Sequence, residues 1–97
     1  MLGMFSFIND IGNYEDRKIG RDTSESGIDV STAYTSDEGY ETALLDSNGV
    51  HPVERYGTRQ DAEDGHKKWL LFANSANGKT VTKIGVFVDP EEIILKA

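Results

Sequence analysis

Residues Tyr40 to Phe72, YETALLDSNGVHPVERYGTRQDAEDGHKKWLLF, read as two β-strands joined by a tight turn and followed at once by a capped helix. The strands are Tyr40–Asp46 and Val50–Tyr56 with Ser47-Asn48-Gly49 as the loop, because Asn-Gly tolerates the positive φ that short hairpin turns demand. Pro52 has no N–H to give to a ladder, which puts the second strand at a sheet edge or at a bulge near His51-Pro52. Thr58 begins the helix: its hydroxyl can accept from the free first-turn amides, and Asp61 stands three residues on as the reciprocal partner. The helix is expected to run from Thr58 to Asn74. Ala62, His66, Trp69 and Ala73 form one stripe along it, flanked by Gly65, Leu70 and Phe72. That stripe should lie across the sheet, with Trp69 as the core anchor.

Working outward, Arg17–Asp22 and Gly27–Thr35 read as a second antiparallel pair across the polar link Thr23-Ser24-Glu25-Ser26. Ile28, Val30, Thr32 and Tyr34 alternate with Asp29, Ser31, Ala33 and Thr35, the period of a half-buried strand. Ser36-Asp37-Glu38-Gly39 then turns the chain. Residues 1–12 carry Leu2, Met4, Phe5, Phe7, Ile8 and Ile11, a short amphipathic helix or arm that must rest on the domain or on a second subunit. After the helix, Thr80–Val88 reads as a strand that adds to the sheet or pairs with another subunit. The C-terminal arm, residues 89–97, reads either as a helix starting at Asp89-Pro90 or as a strand through Ile93-Ile94-Leu95. The expectation is a single α+β domain over residues 1–97. It combines a four- to five-stranded, mostly antiparallel sheet of two hairpins with one long helix packed across one face.

Seventeen acidic and ten basic residues give a formal charge of -7, which argues against nucleic-acid binding because that needs clustered Lys and Arg. An acidic mimic of DNA would mass its carboxylates, whereas these are scattered, as on a solvated surface. The chain has no cysteine, so packing alone must hold the fold. The opening MLGMFSFIND is briefly apolar, has no basic flank and reaches an acid at Asp10, so it reads as neither a signal peptide nor a membrane span.

The histidines are His51 and His66. A metal site would need a carboxylate such as Asp46 or Asp64 as well, and the two histidines lack the i, i+4 spacing of a zinc-hydrolase helix. His66, near Trp69, reads instead as a core-edge histidine bonded to a backbone carbonyl. The carboxylate pairs each have a simpler role: Glu15-Asp16 and Asp37-Glu38 in turns, Asp61 and Asp64 at a helix N-terminus, Glu91-Glu92 after a cap. With no nucleophile, phosphate loop or metal triad beside them, no enzymatic activity, cofactor or metal is expected. Tyr34, Tyr40 and Tyr56 with Arg17, Arg21, Arg55 and Arg59 make the candidate binding surface, since Tyr and Arg are enriched at binding hot spots. If the strands carrying Arg17, Arg21 and Arg55 lie on one side of the sheet, they form a small anion pocket with Tyr rings to stack on a base. Ordinary packing and scattered ion pairs are the plainer reading.

Three blocks, FINDIGNYEDRKIGRD (Phe7–Asp22), IDVSTAYTSDEGYETAL (Ile28–Leu44) and VERYGTRQDAEDGHKKW (Val53–Trp69), together resemble a family of small uncharacterised proteins of tailed bacteriophages and prophages. The resemblance spans about two thirds of the chain. It departs after Asn74, where the relatives continue as a longer helix and this chain has GKTVTKIGVFVDPEEIILKA. The resemblance implies a phage origin and brings no catalytic residue. The resulting expectation is a non-enzymatic accessory protein of the host cytoplasm, a homo-oligomer with no membrane partner. It would bind a host protein, for instance one of a defence system, or a small anionic, nucleotide-like ligand. The alternative is a minor structural component of the virion.

Overall fold

The computed structural model describes residues 18–36, 39–85 and 89–97. The N-terminal arm, Arg17 and the Asp37-Glu38 pair lie outside the described residues. Strands β1 (Lys18–Thr23), β2 (Asp29–Thr35), β3 (Gly39–Asp46) and β4 (Gly49–Tyr56) form one antiparallel sheet in the order β1-β2-β3-β4. Helix α1 (Arg59–Ala73) crosses one face, and β5 (Thr80–Lys83) pairs with β6 (Glu91–Ile94) in a separate antiparallel hairpin. The α+β architecture is the one expected. What differs is the strand after the helix, which pairs with the tail instead of extending the sheet. Ile93 and Ile94 face Val81 and Thr80 across this hairpin, so the tail is a strand and Glu91-Glu92 lies within it. Pairing satisfies backbone groups that a very short terminal helix would hold only weakly.

Pro52 has both expected consequences. β4 is an outer strand, and its register shifts so that Thr42 faces Glu54 while Ala43 faces Pro52, leaving Val53 as the extra residue. The shift turns Val53 into the core beside Ile28, Val30, Leu44, Ala73, Ala76, Val81 and Leu95. Trp69 is not the fully buried anchor expected from its stripe: with Leu70, Phe72 and Ile93 it packs half-buried against that cluster. Its indole N–H needs an acceptor and finds Glu54 Oε1 at 2.8 Å, at the margin of the sheet.

Both ends of α1 are closed by side chains. At the start, Thr58 Oγ1 accepts from the Asp61 N–H at 3.1 Å. At the far end the β1–β2 loop supplies the cap: Ser24 and Ser26 hydroxyls donate to the Ala73 carbonyl at 3.1 and 2.7 Å, and the Glu25 N–H donates to Asn74 Oδ1 at 2.9 Å. The loop thus adds donors at the carbonyl end of the helix, where the Ala73 carbonyl also takes the Ala76 N–H at 3.2 Å.

In the β3–β4 turn positive φ falls on Gly49 alone, at +127°. A β-branched side chain there meets its own backbone, at about 1–2 kcal/mol or more. Gly49→Val should lower the thermal midpoint by several degrees, and an unchanged midpoint would rule out this turn.

Gly65 tests a different physics. A Cβ built on it falls 2.2 Å from Tyr56 Oη, so the helix can pass over the ring only without a side chain at this position. Helix propensity alone predicts that Gly65→Ala stabilises by about 1 kcal/mol; overpacking predicts a loss of about 1–3 kcal/mol. Urea denaturation should show the loss.

Candidate functional site

The strand alternation places Thr32, Thr42, Glu54 and Tyr56 beneath α1. They form a continuous polar line across three strands. At one end His66 Nε2 meets Asp22 Oδ2 at 2.7 Å, and Nδ1 meets Thr32 Oγ1 at 2.8 Å. Thr32 then contacts Thr42, Thr42 contacts Tyr56 Oη at 3.1 Å, and Tyr56 contacts Glu54 Oε1 at 3.1 Å. Glu54 also accepts from Trp69 Nε1 and from Lys68 Nζ at 2.6 Å. Gly20 leaves room for the imidazole: a Cβ there falls 2.9 Å from His66 Nε2. The sequence correctly puts His66 at the edge of the core, but its partners are side chains and not a backbone carbonyl.

The direction of this line at its Glu54 end follows from counting protons. Burial raises the Glu54 pKa, yet the bonds from Lys68, Trp69 and Tyr56 and the Lys68 charge outweigh it and hold the carboxyl below its ordinary value. An ionised carboxylate only accepts, so Tyr56 gives its single proton to Glu54 and receives one from Thr42. The Thr32–Thr42 and His66–Thr32 contacts continue the line, with donor and acceptor there set by the ring tautomer of His66. Burial, together with the neighbouring Glu54 charge, pushes the Tyr56 phenol up to about 12.

Asp22, His66 and Thr32 stand at the distances of an acid, a base and a hydroxyl nucleophile. Thr32 has no exposed surface, however, and its oxygen already meets Thr42. In this arrangement no substrate carbonyl reaches it. Among the described residues no three His, Asp or Glu side chains gather as a metal ion would require.

A second buried cluster ties the tail to the β3–β4 turn. Asp46, its side chain fully buried, accepts from His51 Nε2 at 2.8 Å, from the Asn48 N–H at 2.8 Å and from the Lys96 N–H at 2.9 Å. The Lys96 carbonyl accepts in return from the Ser47 N–H and hydroxyl.

Of the residues expected to form a binding surface, Tyr34, Tyr40 and Tyr56 stand in one row across β2, β3 and β4, Tyr34 opposite Tyr40 and Tyr40 opposite Tyr56. Tyr34 and Tyr40 face each other across β2 and β3 as an edge-to-face pair, centroids 5.1 Å apart. Tyr56 belongs to the polar line, and Arg59 pairs with Glu63 on the exposed helix surface at 3.1 Å. Arg21 faces Asp29 at 3.3 Å and Arg55 faces Glu41 at 3.0 Å. Their strands are the two outer ones of the sheet, three spacings or about 14 Å apart.

An open groove forms elsewhere, with a volume of about 450 Å³, between Lys68, Trp69 and Phe72 of α1, Val53 of β4, and Thr80, Val81 and Thr82 of β5. Sequence reasoning did not single it out, because β5 reaches it only through its pairing with β6. No family model, curated protein or solved structure matches this chain. Among the described residues no helix is long and apolar enough to cross a membrane.

Burial raises the Asp46 pKa, but the Lys96 N–H, His51 and the Asn48 N–H together lower it below the ordinary 3.8. A depressed folded-state pKa contributes stability that is present above the unfolded value and lost as pH falls through the folded one. Stability should therefore drop below pH 4, and Asp46→Asn should flatten that acid limb while lowering stability at neutral pH. An acid limb as steep in the variant as in the parent would contradict the role given to this carboxylate.

Proposed function

We propose that this protein is a non-enzymatic phage accessory protein that acts in the host cytoplasm by binding another protein. The observation that carries the reading is where its chemistry sits. The histidines and the best-placed carboxylates hold secondary-structure elements together, while an open concavity presents Trp69, Phe72, Val53 and Val81. Half-buried aromatic residues in a groove are the usual anchors of a protein contact. The phage setting rests on the resemblance of the three sequence blocks.

A nucleotide-like ligand has less support, since Arg21 and Arg55 each face a carboxylate at opposite edges of the sheet. A second reading, a minor structural component of the virion, is favoured by Leu71 and Ile94, which are 73% and 64% exposed and would seat against neighbouring copies. Self-association is compatible with either.

Native mass spectrometry of the protein purified from its infected or lysogenic host separates these readings. The expected result is a complex containing a second protein of defined mass. Only multiples of the 10.7 kDa chain, with the protein recovered in purified particles, would replace this reading with the virion one.

A further inference from the structure

Hydrogen-bond phase in the β5–β6 hairpin decides what lies along the groove. The Leu95 carbonyl accepts from the Gly78 N–H at 2.7 Å, and the Leu95 N–H donates to the Lys79 carbonyl at 2.8 Å. Bonded pairs recur every second residue in an antiparallel ladder. Val81 and Lys83 therefore bond to Ile93 and Glu91, while Thr80 and Thr82 direct N–H and C=O away from β6. Ile84 continues that outward row, and its N–H donates to the Pro52 carbonyl of β4 at 2.8 Å. Among the described residues the outward groups of Thr80 and Thr82 have no such partner, and both residues line the groove with Trp69 and Phe72.

We propose that this groove takes one extended segment of a partner protein, added as a strand to the outward edge of β5. The proposal rests on the protein-binding reading above and names its site and the chemistry of its occupant. The edge offers two N–H and two C=O groups in strand spacing, which is the recognition element of strand addition. The incoming segment turns alternate side chains inward, and the groove receives an apolar one among Val53, Trp69 and Phe72.

Charge selects a carboxylate beside that apolar residue. The protein carries seven excess negative charges, yet Lys79 has no carboxylate partner among the described residues. Its Nζ stands 5.6 Å from the Phe72 ring centre, and Lys68 Nζ stands 5.4 Å from that of Trp69. A second copy of β5 is the wrong occupant. Antiparallel self-pairing about Val81 would set Lys79 opposite Lys83 of the other copy, like charges in direct cross-strand contact.

The test uses the full chain and octapeptides selected from a random displayed library, then synthesised and titrated by the fluorescence of Trp69, the one tryptophan. Selected peptides should alternate apolar residues and carry a carboxylate. Methylating the alternate peptide amides that face β5 should weaken binding at least tenfold, and methylating the intervening ones should not. Thr82→Pro removes one outward N–H without touching the β6 ladder, and Lys79→Glu reverses the rim charge; each should cost a similar factor with the circular dichroism spectrum unchanged. If Thr82→Pro does not fold, the methylated peptides carry the test on the unaltered protein.

Failure to select any peptide, or affinities indifferent to amide methylation, would overturn the proposal. A host protein that still co-purifies with the Lys79→Glu variant at parental yield would sink the groove and leave the binding function standing. Absence of any co-purifying protein with the parent would remove both.

Discussion

The close approach of α1 to the sheet is the constraint on which the rest depends. Gly65 lets the helix backbone pass over the Tyr56 ring, and Gly20 lets β1 pass beside the His66 ring. Ordinary side chains at these two places would hold the layers apart. Thr32 and Thr42, both without exposed surface, would then lose partners, and each unmet buried hydroxyl costs about 1–3 kcal/mol. The polar line is thus a condition for packing as well as a result of it. Its continuity across three strands leaves little freedom to shift the helix along the sheet.

The apolar core lies toward the other end of α1. Ala73 and Ala76 bring the chain close to Ile28, Val30 and Leu44, and the tail contributes Leu95. Two polar connections hold that end in place: the serines of the β1–β2 loop on the Ala73 carbonyl, and Asp46 on the Lys96 amide. Residues that look like solvated loop in the sequence therefore terminate a helix and fasten a tail. A small chain gains from such contacts because its core alone is limited.

Engaging the titratable residues in this way shapes what the surface offers. His66 and His51 are 8% and 7% exposed, and Arg21, Arg55 and Arg59 each face a carboxylate. One open groove has aromatic walls on one side and, among the described residues, an unpaired strand edge on the other.

The sequence by itself determined the order and limits of the main elements. Alternation marks β2, Asn48-Gly49 and Pro52 mark the hairpin, and Thr58 marks the helix start; all are local signals that act over a few residues. The stripe containing Ala62, His66 and Ala73 likewise named the buried side of α1, though it overstated Trp69, whose polar N–H draws it to the margin. Tertiary structure alone decided the rest. No local signal says that β5 pairs with the tail, that Tyr56 lies under Gly65, or that Arg21 and Arg55 occupy opposite edges. Such contacts join residues far apart in the chain, and their energies exist only once the layers have met.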